Sequence, residues 1–183
     1  MTNTVDAVGA MPTIADEARF WALVEAAWQR LGDEPAALRR LLIDRDPMVD
    51  PEADDARLYA LDDWLDPFLA NLRDLTDGLS SVELTDLDRV VERKLYDIDR
   101  ADIQEVTDGS DDGFLYARGF IVAVGEQFYA AVKADPAMAV LDADCEEMCY
   151  FFAHLHEERF GGWPETGSAI SRESVSNPVG WPE

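Results

Sequence analysis

Lysine is almost missing from this chain of 183 residues: there are two, Lys94 and Lys133, against 13 arginines, 24 aspartates and 15 glutamates. The resulting formal charge of −24 at pH 7 repels phosphate backbones and anionic lipid headgroups, so neither nucleic acid nor a membrane surface is an expected partner. Long apolar runs are missing as well. Residues 120–124 and 148–153 are among the longest, far short of the roughly 20 residues that a membrane-spanning helix needs. Residues 1–16 show no basic cluster ahead of an apolar stretch, so no secretory leader is expected and the cytoplasm is the expected location. Cysteine and histidine are scarce, with two of each, and no cofactor or resident metal is expected.

What remains is ample material for one domain. A hydrophobic content of 48% over 183 residues suits a single core of about 150 residues with loose ends. Residues 1–12 lack periodic apolar positions and read as a disordered segment, residues 13–160 as the helical domain, and residues 161–183 as a tail rich in Gly, Pro and Ser. Thr13, with Asp16 three positions on, has the spacing of a capping box. Ile14, Trp21 and Trp28 then recur every seven residues, with Val24 and Leu31 on the same side, which predicts a helix with an aromatic stripe facing a core.

Gly32 closes that helix, and Asp33 and Pro35 open a short second one ended by Asp46-Pro47. Leu58, Leu61, Leu65, Phe68, Leu72 and Leu75 follow steps of three and four, interrupted by Pro67, which lacks an amide hydrogen and predicts a break with Asp66 capping the second part. Leu84, Leu87, Val91 and Leu95 mark a further helix, and a short helical turn is expected from Asp97 to Val106. The polar stretch from Asp108 to Gly113 leads into the expected central helix, running unbroken from Gly113 to Lys133, in which Gly119 and Gly125 allow a neighbour to approach. A last helix runs from about Asp144 to Phe160. No strand alternation competes, so the expected architecture is all-α: one compact domain of six or seven helices with an irregular C-terminal tail. Both lysines fall late in helices, where a cation complements the carbonyl end.

Catalytic signatures are mostly negative. Residues 108–113 reproduce the opening of a calcium loop, but Gly119 stands where the bidentate Glu of the twelfth position belongs. Ser110, Asp111 and Asp112 instead suit the open amides of a helix N-terminus. Cys149 and His156 are seven residues apart on a helix, about 10 Å along its axis, too far for one zinc ion. Both cysteines therefore read as reduced core thiols. No nucleophile elbow, Walker loop or dinucleotide-binding turn is present, so an enzyme is not the first expectation.

Ser110-Asp111-Asp112-Gly113-Phe114, followed by Tyr116, Arg118, Phe120-Ile121-Val122, Gly125, Tyr129 and Asp135-Pro136, with Arg19-Phe20-Trp21 upstream, resembles the bacterial domain-of-unknown-function 4240 family over about residues 19–161. Three positions depart from its pattern: Asp108 replaces the first of a glycine pair, Ala117 a phenylalanine, and Phe120 a tryptophan. The resemblance implies a helical fold and a place to look, and no reaction.

That place is Arg118, six residues after Asp112. It is expected to clasp Asp111 or the Asp97-Asp99-Asp102 cluster, or else to grip an anionic ligand together with Ser110, Asp111, Asp112 and Tyr116. The tail repeats Gly162-Trp163-Pro164-Glu165 as Gly180-Trp181-Pro182-Glu183, so Trp163 and Trp181 either latch the tail to the body or dock a partner. Three functions are compatible: a non-enzymatic regulatory or immunity-like module for a basic protein, an enzyme or small-ligand or metal binder on the Ser-Asp-Asp loop, and a nucleic-acid mimic using Asp54, Asp55, Asp62, Asp63 and Asp66.

Overall fold

A computed structural model describes residues 9–49, 55–107 and 109–182, leaving out the side chains of residues 55 and 56. The elements in chain order are α1 (Ile14–Gln29), α2 (Asp33–Asp44), the single turn α3 (Asp55–Leu58), α4 (Leu65–Leu75), α5 (Ser81–Asp97), α6 (Ala101–Thr107), α7 (Asp111–Val124), α8 (Glu126–Ala134) and α9 (Glu146–Phe160). Among the described residues there is no strand, and eight of these helices have seven residues or more. The all-α expectation holds; the count of six or seven is low because the long central helix is in fact two.

The break has a local cause. The Ala123 carbonyl accepts the Trp28 indole N–H at 2.7 Å and the Val124 carbonyl accepts Arg39 Nε at 2.8 Å. These side chains take the place of amides four residues on, and Gly125 turns the backbone away at φ +119°, a conformation that favours glycine. α7 ends there and α8 starts in a new direction.

α7 is the centre of the domain. Every residue from Phe114 to Val124 except Tyr116 is buried, and its main neighbour is α9, which also lies along α5. Gly119 is required at the α7–α9 contact, since a Cβ there would overlap the Cys145 carbonyl oxygen and approach Cys149 Sγ to 2.6 Å. α1 closes the other side against α4 and α5, with Trp28 stacked on Phe68 at 4.5 Å. The aromatic stripe of α1 starts a turn later than its heptad suggests: Phe20, Trp21, Val24 and Trp28 are buried, but Ile14, the first residue of the helix, is 90% exposed.

Side-chain caps fix the starts of α1, α5 and α7. Thr13 and Asp16 make the expected capping box, and Ser80 and Glu83 make a second at α5. Two N-termini differ from expectation. α4 begins at Leu65 after a 3-10 turn, so Trp64 rather than Asp66 is its N-cap and Pro67 sits in the first turn, where its missing amide costs nothing. α7 begins at Asp111, because Ser110 Oγ accepts the Gly113 amide at 3.2 Å. Of the segment expected to be disordered, residues 1–8 lie outside the described residues, while Ala10 donates to the Gly167 carbonyl at 2.7 Å.

Candidate functional site

The Ser-Asp-Asp loop and Arg118 sit on one helix but face different environments. Asp111 and Asp112 occupy the first two positions of α7 and are exposed, where their charge complements the helix dipole. Asp108 lies outside the described residues. Tyr116 is half-buried, and burial followed by the charge of Glu146 pushes its phenol upward. Arg118, two turns along, is fully buried. The structure therefore does not gather the five predicted residues into one pocket.

Arg118 does not make the expected carboxylate clasp. Its Nη1 donates to the Leu95 carbonyl at 2.9 Å, and its Nη2 to the Arg172 carbonyl at 3.0 Å and to Ser174 Oγ at 3.1 Å. The guanidinium also lies 4.8 Å from the Phe114 ring centroid, while Nε is buried without a partner. Burial lowers the pKa of this group, and the charge of Asp99 partly counters that. The cluster invoked for the clasp is otherwise engaged. Asp97 pairs with Arg93 at 2.7 Å and Asp102 with Arg100 at 2.5 Å. Asp99, fully buried, accepts from the amides of Val175, Ser176 and Asn177 and from the Trp181 indole at 2.7–3.0 Å.

These bonds go beyond the expected tryptophan latch: the tail is strapped across α5, α7 and α9 by a buried polar network that sequence reasoning missed. Arg172 is its pin. The Arg172 Nη2 donates to Asp88 at 2.8 Å and to Glu92 at 3.0 Å, and Nη1 donates to the Cys149 carbonyl at 2.5 Å. Burial opposes its charge, but Asp88 and Glu92 outweigh burial and raise its pKa. Ser168 Oγ donates to Glu92 at 2.7 Å, and Arg89 Nε to the Thr166 carbonyl at 2.6 Å. One signal was available, since Asp88 falls between Leu87 and Val91 on the apolar side of α5 and demands a cation.

The two tail tryptophans have different fates. Trp181 is half-buried, edge-on to Phe114 at 6.0 Å, while Gly180 lies so close to the Asp99 carbonyl that no side chain fits there. Trp163 is 51% exposed, with its indole 3.2 Å from Glu157 and its ring against Tyr150 and His154. Nearby, Ser81 Oγ and His156 Nε2 are 2.6 Å apart and His156 Nδ1 meets the Gly162 carbonyl at 2.5 Å. A carbonyl only accepts, so Nδ1 donates to Gly162, while Nε2 shares a second hydrogen bond with Ser81 Oγ. This joins the starts of α5 and the tail to α9. The two cysteines are buried and free.

Four arginines share one habit, donating to carbonyls at or near helix ends. Arg39 caps the last carbonyl of α7, Arg118 reaches Leu95 in the last turn of α5, Arg100 reaches the Lys133 carbonyl near the end of α8 at 2.8 Å, and Arg159 reaches the Thr76 carbonyl beyond α4 at 2.7 Å. A planar fork of donors suits this task better than an ammonium. Compared with protein-family models, curated proteins and solved structures, the chain shows no significant match.

Proposed function

We propose that this chain is a non-enzymatic protein-interaction module, regulatory or immunity-like, whose acidic surface receives a basic protein, and that it is a relative of the domain-of-unknown-function 4240 family. The observation that supports this reading is a segregation of charge. Most cations are turned inward to carbonyls and buried carboxylates; among the described residues only Arg19, Arg30, Arg40, Arg57, Arg73 and Lys133 are exposed. Most of the carboxylates stay outside, with Asp88 and Asp99 the buried exceptions. Asp62, Asp63 and Asp66 are exposed around the start of α4, and partial burial together with the charges of Asp144 and Asp63 raises the pKa of Asp62. Such a surface accelerates encounter with a cationic partner and rejects anionic ones. Asp54 lies outside the described residues.

The test is capture from native lysate on the immobilised chain at about 50 mM and about 500 mM NaCl, which shortens the Debye length from about 14 Å to about 4 Å. A basic protein bound at low salt, released at high salt and lost from an Asp62→Asn/Asp63→Asn/Asp66→Asn variant is the expected result. No salt-sensitive partner, or one held equally by the variant, refutes the reading.

A further inference from the structure

Trp163 follows the left-handed Gly161 that ends α9 and folds back onto that helix. Its ring centroid lies 5.8 Å from that of Tyr150 and 5.6 Å from that of His154, which are themselves 5.9 Å apart. Each ring is therefore in contact with the other two. The cluster stands at the surface: Trp163 and His154 are exposed and Tyr150 is half-buried. Trp181, the other tail tryptophan, is turned inward onto Phe114, so the tail leaves one large aromatic face in water.

Carboxylates hold the polar edges of this cluster. Glu157 accepts from the Trp163 indole at 3.2 Å and Glu173 from the Tyr150 hydroxyl at 3.1 Å, and both glutamates are exposed. A donor bonded to an anion sends electron density back into its ring, which makes the ring face more attractive to a cation. That cation is missing. Glu158 has Arg73 and Glu92 has Arg172, but among the described residues no arginine or lysine pairs with Glu157 or Glu173. Elsewhere arginines lie over Trp28, Tyr96, Phe114 and Tyr150, with 4.8–5.6 Å to the ring centroids. The one over Tyr150 is the buried Arg172, so Trp163 and His154 are the rings of the cluster still open to a partner.

We propose that this cluster seats an arginine side chain of a basic protein partner, its guanidinium stacked on Trp163 and donating to Glu157. Arginine suits the site better than lysine, because a planar guanidinium stacks on an indole and still directs N–H groups in its own plane to a carboxylate. A quaternary ammonium is the poorer fit, since it needs rings arranged around a space and these rings are packed on one another. The inference rests on the reading of the acidic surface as a receiver of a basic protein. It narrows that reading to one anchor, of the aromatic and arginine kind that dominates interface energies.

The probe is an acetylated, amidated peptide of alternating glycine and arginine, with its lysine counterpart as the ammonium comparison. Each is titrated at about 50 mM NaCl into the full chain carrying nitrogen-15 in its indoles. Of the five indole signals, the one that disappears in Trp163→Phe is expected to shift saturably as the guanidinium competes for Glu157. The arginine peptide is expected to bind at least about threefold more tightly than the lysine one. Trp163→Ala leaves the net charge unchanged and weakens the arginine peptide about fivefold, Trp163→Phe weakens it less because a ring remains, and Glu157→Gln weakens it about fivefold with the indole in place. A Trp163 signal that does not move, or equal affinity in Trp163→Ala, overturns the anchor and leaves the acidic surface as a general attractor. Equal binding of the lysine peptide overturns the choice of arginine, and unchanged affinity in Glu157→Gln overturns the role of that carboxylate. Failure of the broader reading is distinct: no basic protein is captured from lysate, whatever the peptide does at Trp163.

Discussion

Arg172 in the tail and Asp88 in the middle of α5 meet at 2.8 Å with side chains 8% and 2% exposed. Burial pushes the Asp88 carboxyl upward and the charge of Arg172 pulls it back, so the two groups are tolerable inside the protein only together. The ion pair thereby makes the tail part of the core. The chain from Thr166 to Trp181 bonds to α5, α9 and Asp99 around it.

Truncating the cation therefore exposes the full cost of the carboxylate. Arg172→Met is expected to destabilise the fold by about 3–5 kcal/mol, the usual consequence of leaving one buried charge without its partner. Arg172→Met/Asp88→Leu recovers most of that loss, because an apolar pair of similar volume needs no compensation. Urea denaturation of the wild type and both variants measures this. A single variant within about 1 kcal/mol of the wild type would mean that the tail is held by its other bonds alone.

Gly119 and Gly78 separate the two reasons for which a glycine is needed. A Cβ at Gly119 overlaps the backbone of Cys145, so α7 and α9 must move apart, whereas Gly78 has φ +78° with open space around it. Gly119→Ala should cost about 1–3 kcal/mol through overpacking. Gly78→Ala should cost about 1 kcal/mol, through backbone strain alone. Thermal unfolding of the two variants ranks them, and a larger loss at Gly78 would contradict the close approach of α7 and α9.

Helix existence was legible because apolar spacing of three and four is set by the same geometry that buries a face. The Thr13 cap was legible too, being local. The α7–α8 break was not, because the groups that take the Ala123 and Val124 carbonyls come from α1 and α2, 95 and 85 residues away. Arg118 was expected to clasp a carboxylate or grip an anion, yet its partners are carbonyls and a hydroxyl. Carbonyls leave no mark in a sequence, whereas carboxylates do, and so reasoning from residue types drew it toward aspartates. The strap was hidden for a similar reason: tail composition announces irregular backbone, and nothing in it shows that Asp99 collects three consecutive amides.

The two thiols give a check on how tightly α9 is sealed. Burial pushes both Cys145 and Cys149 up to about 12, so at pH 8 almost none of either is thiolate, the reactive form. Native protein is expected to react with Ellman's reagent far more slowly than a free cysteine, and to release two equivalents of thionitrobenzoate promptly in denaturant. Rapid reaction of either thiol in native protein would show that the α7–α9 contact around Gly119 opens.

The capping box at α5 should be visible as a pH dependence. Glu83 accepts from the Ser80 backbone amide and hydroxyl, each at 2.8 Å, and from Arg19 at 2.8 Å. The amide bond first, then the arginine, hold its carboxyl down at about 2 against an ordinary value of 4.5. A depressed carboxylate binds its proton less readily folded than unfolded, so its contribution is complete above the unfolded value and vanishes as pH falls through the folded one. Glu83→Gln keeps the size of the side chain and removes the charge. The stability difference between wild type and Glu83→Gln, from denaturant unfolding across a pH series, is expected to be constant above pH about 5 and to shrink steadily toward pH about 2. Other acidic groups titrate in both proteins and cancel in that difference. A difference that stays level down to pH 2 would show that Glu83 acts at the cap by shape rather than by charge.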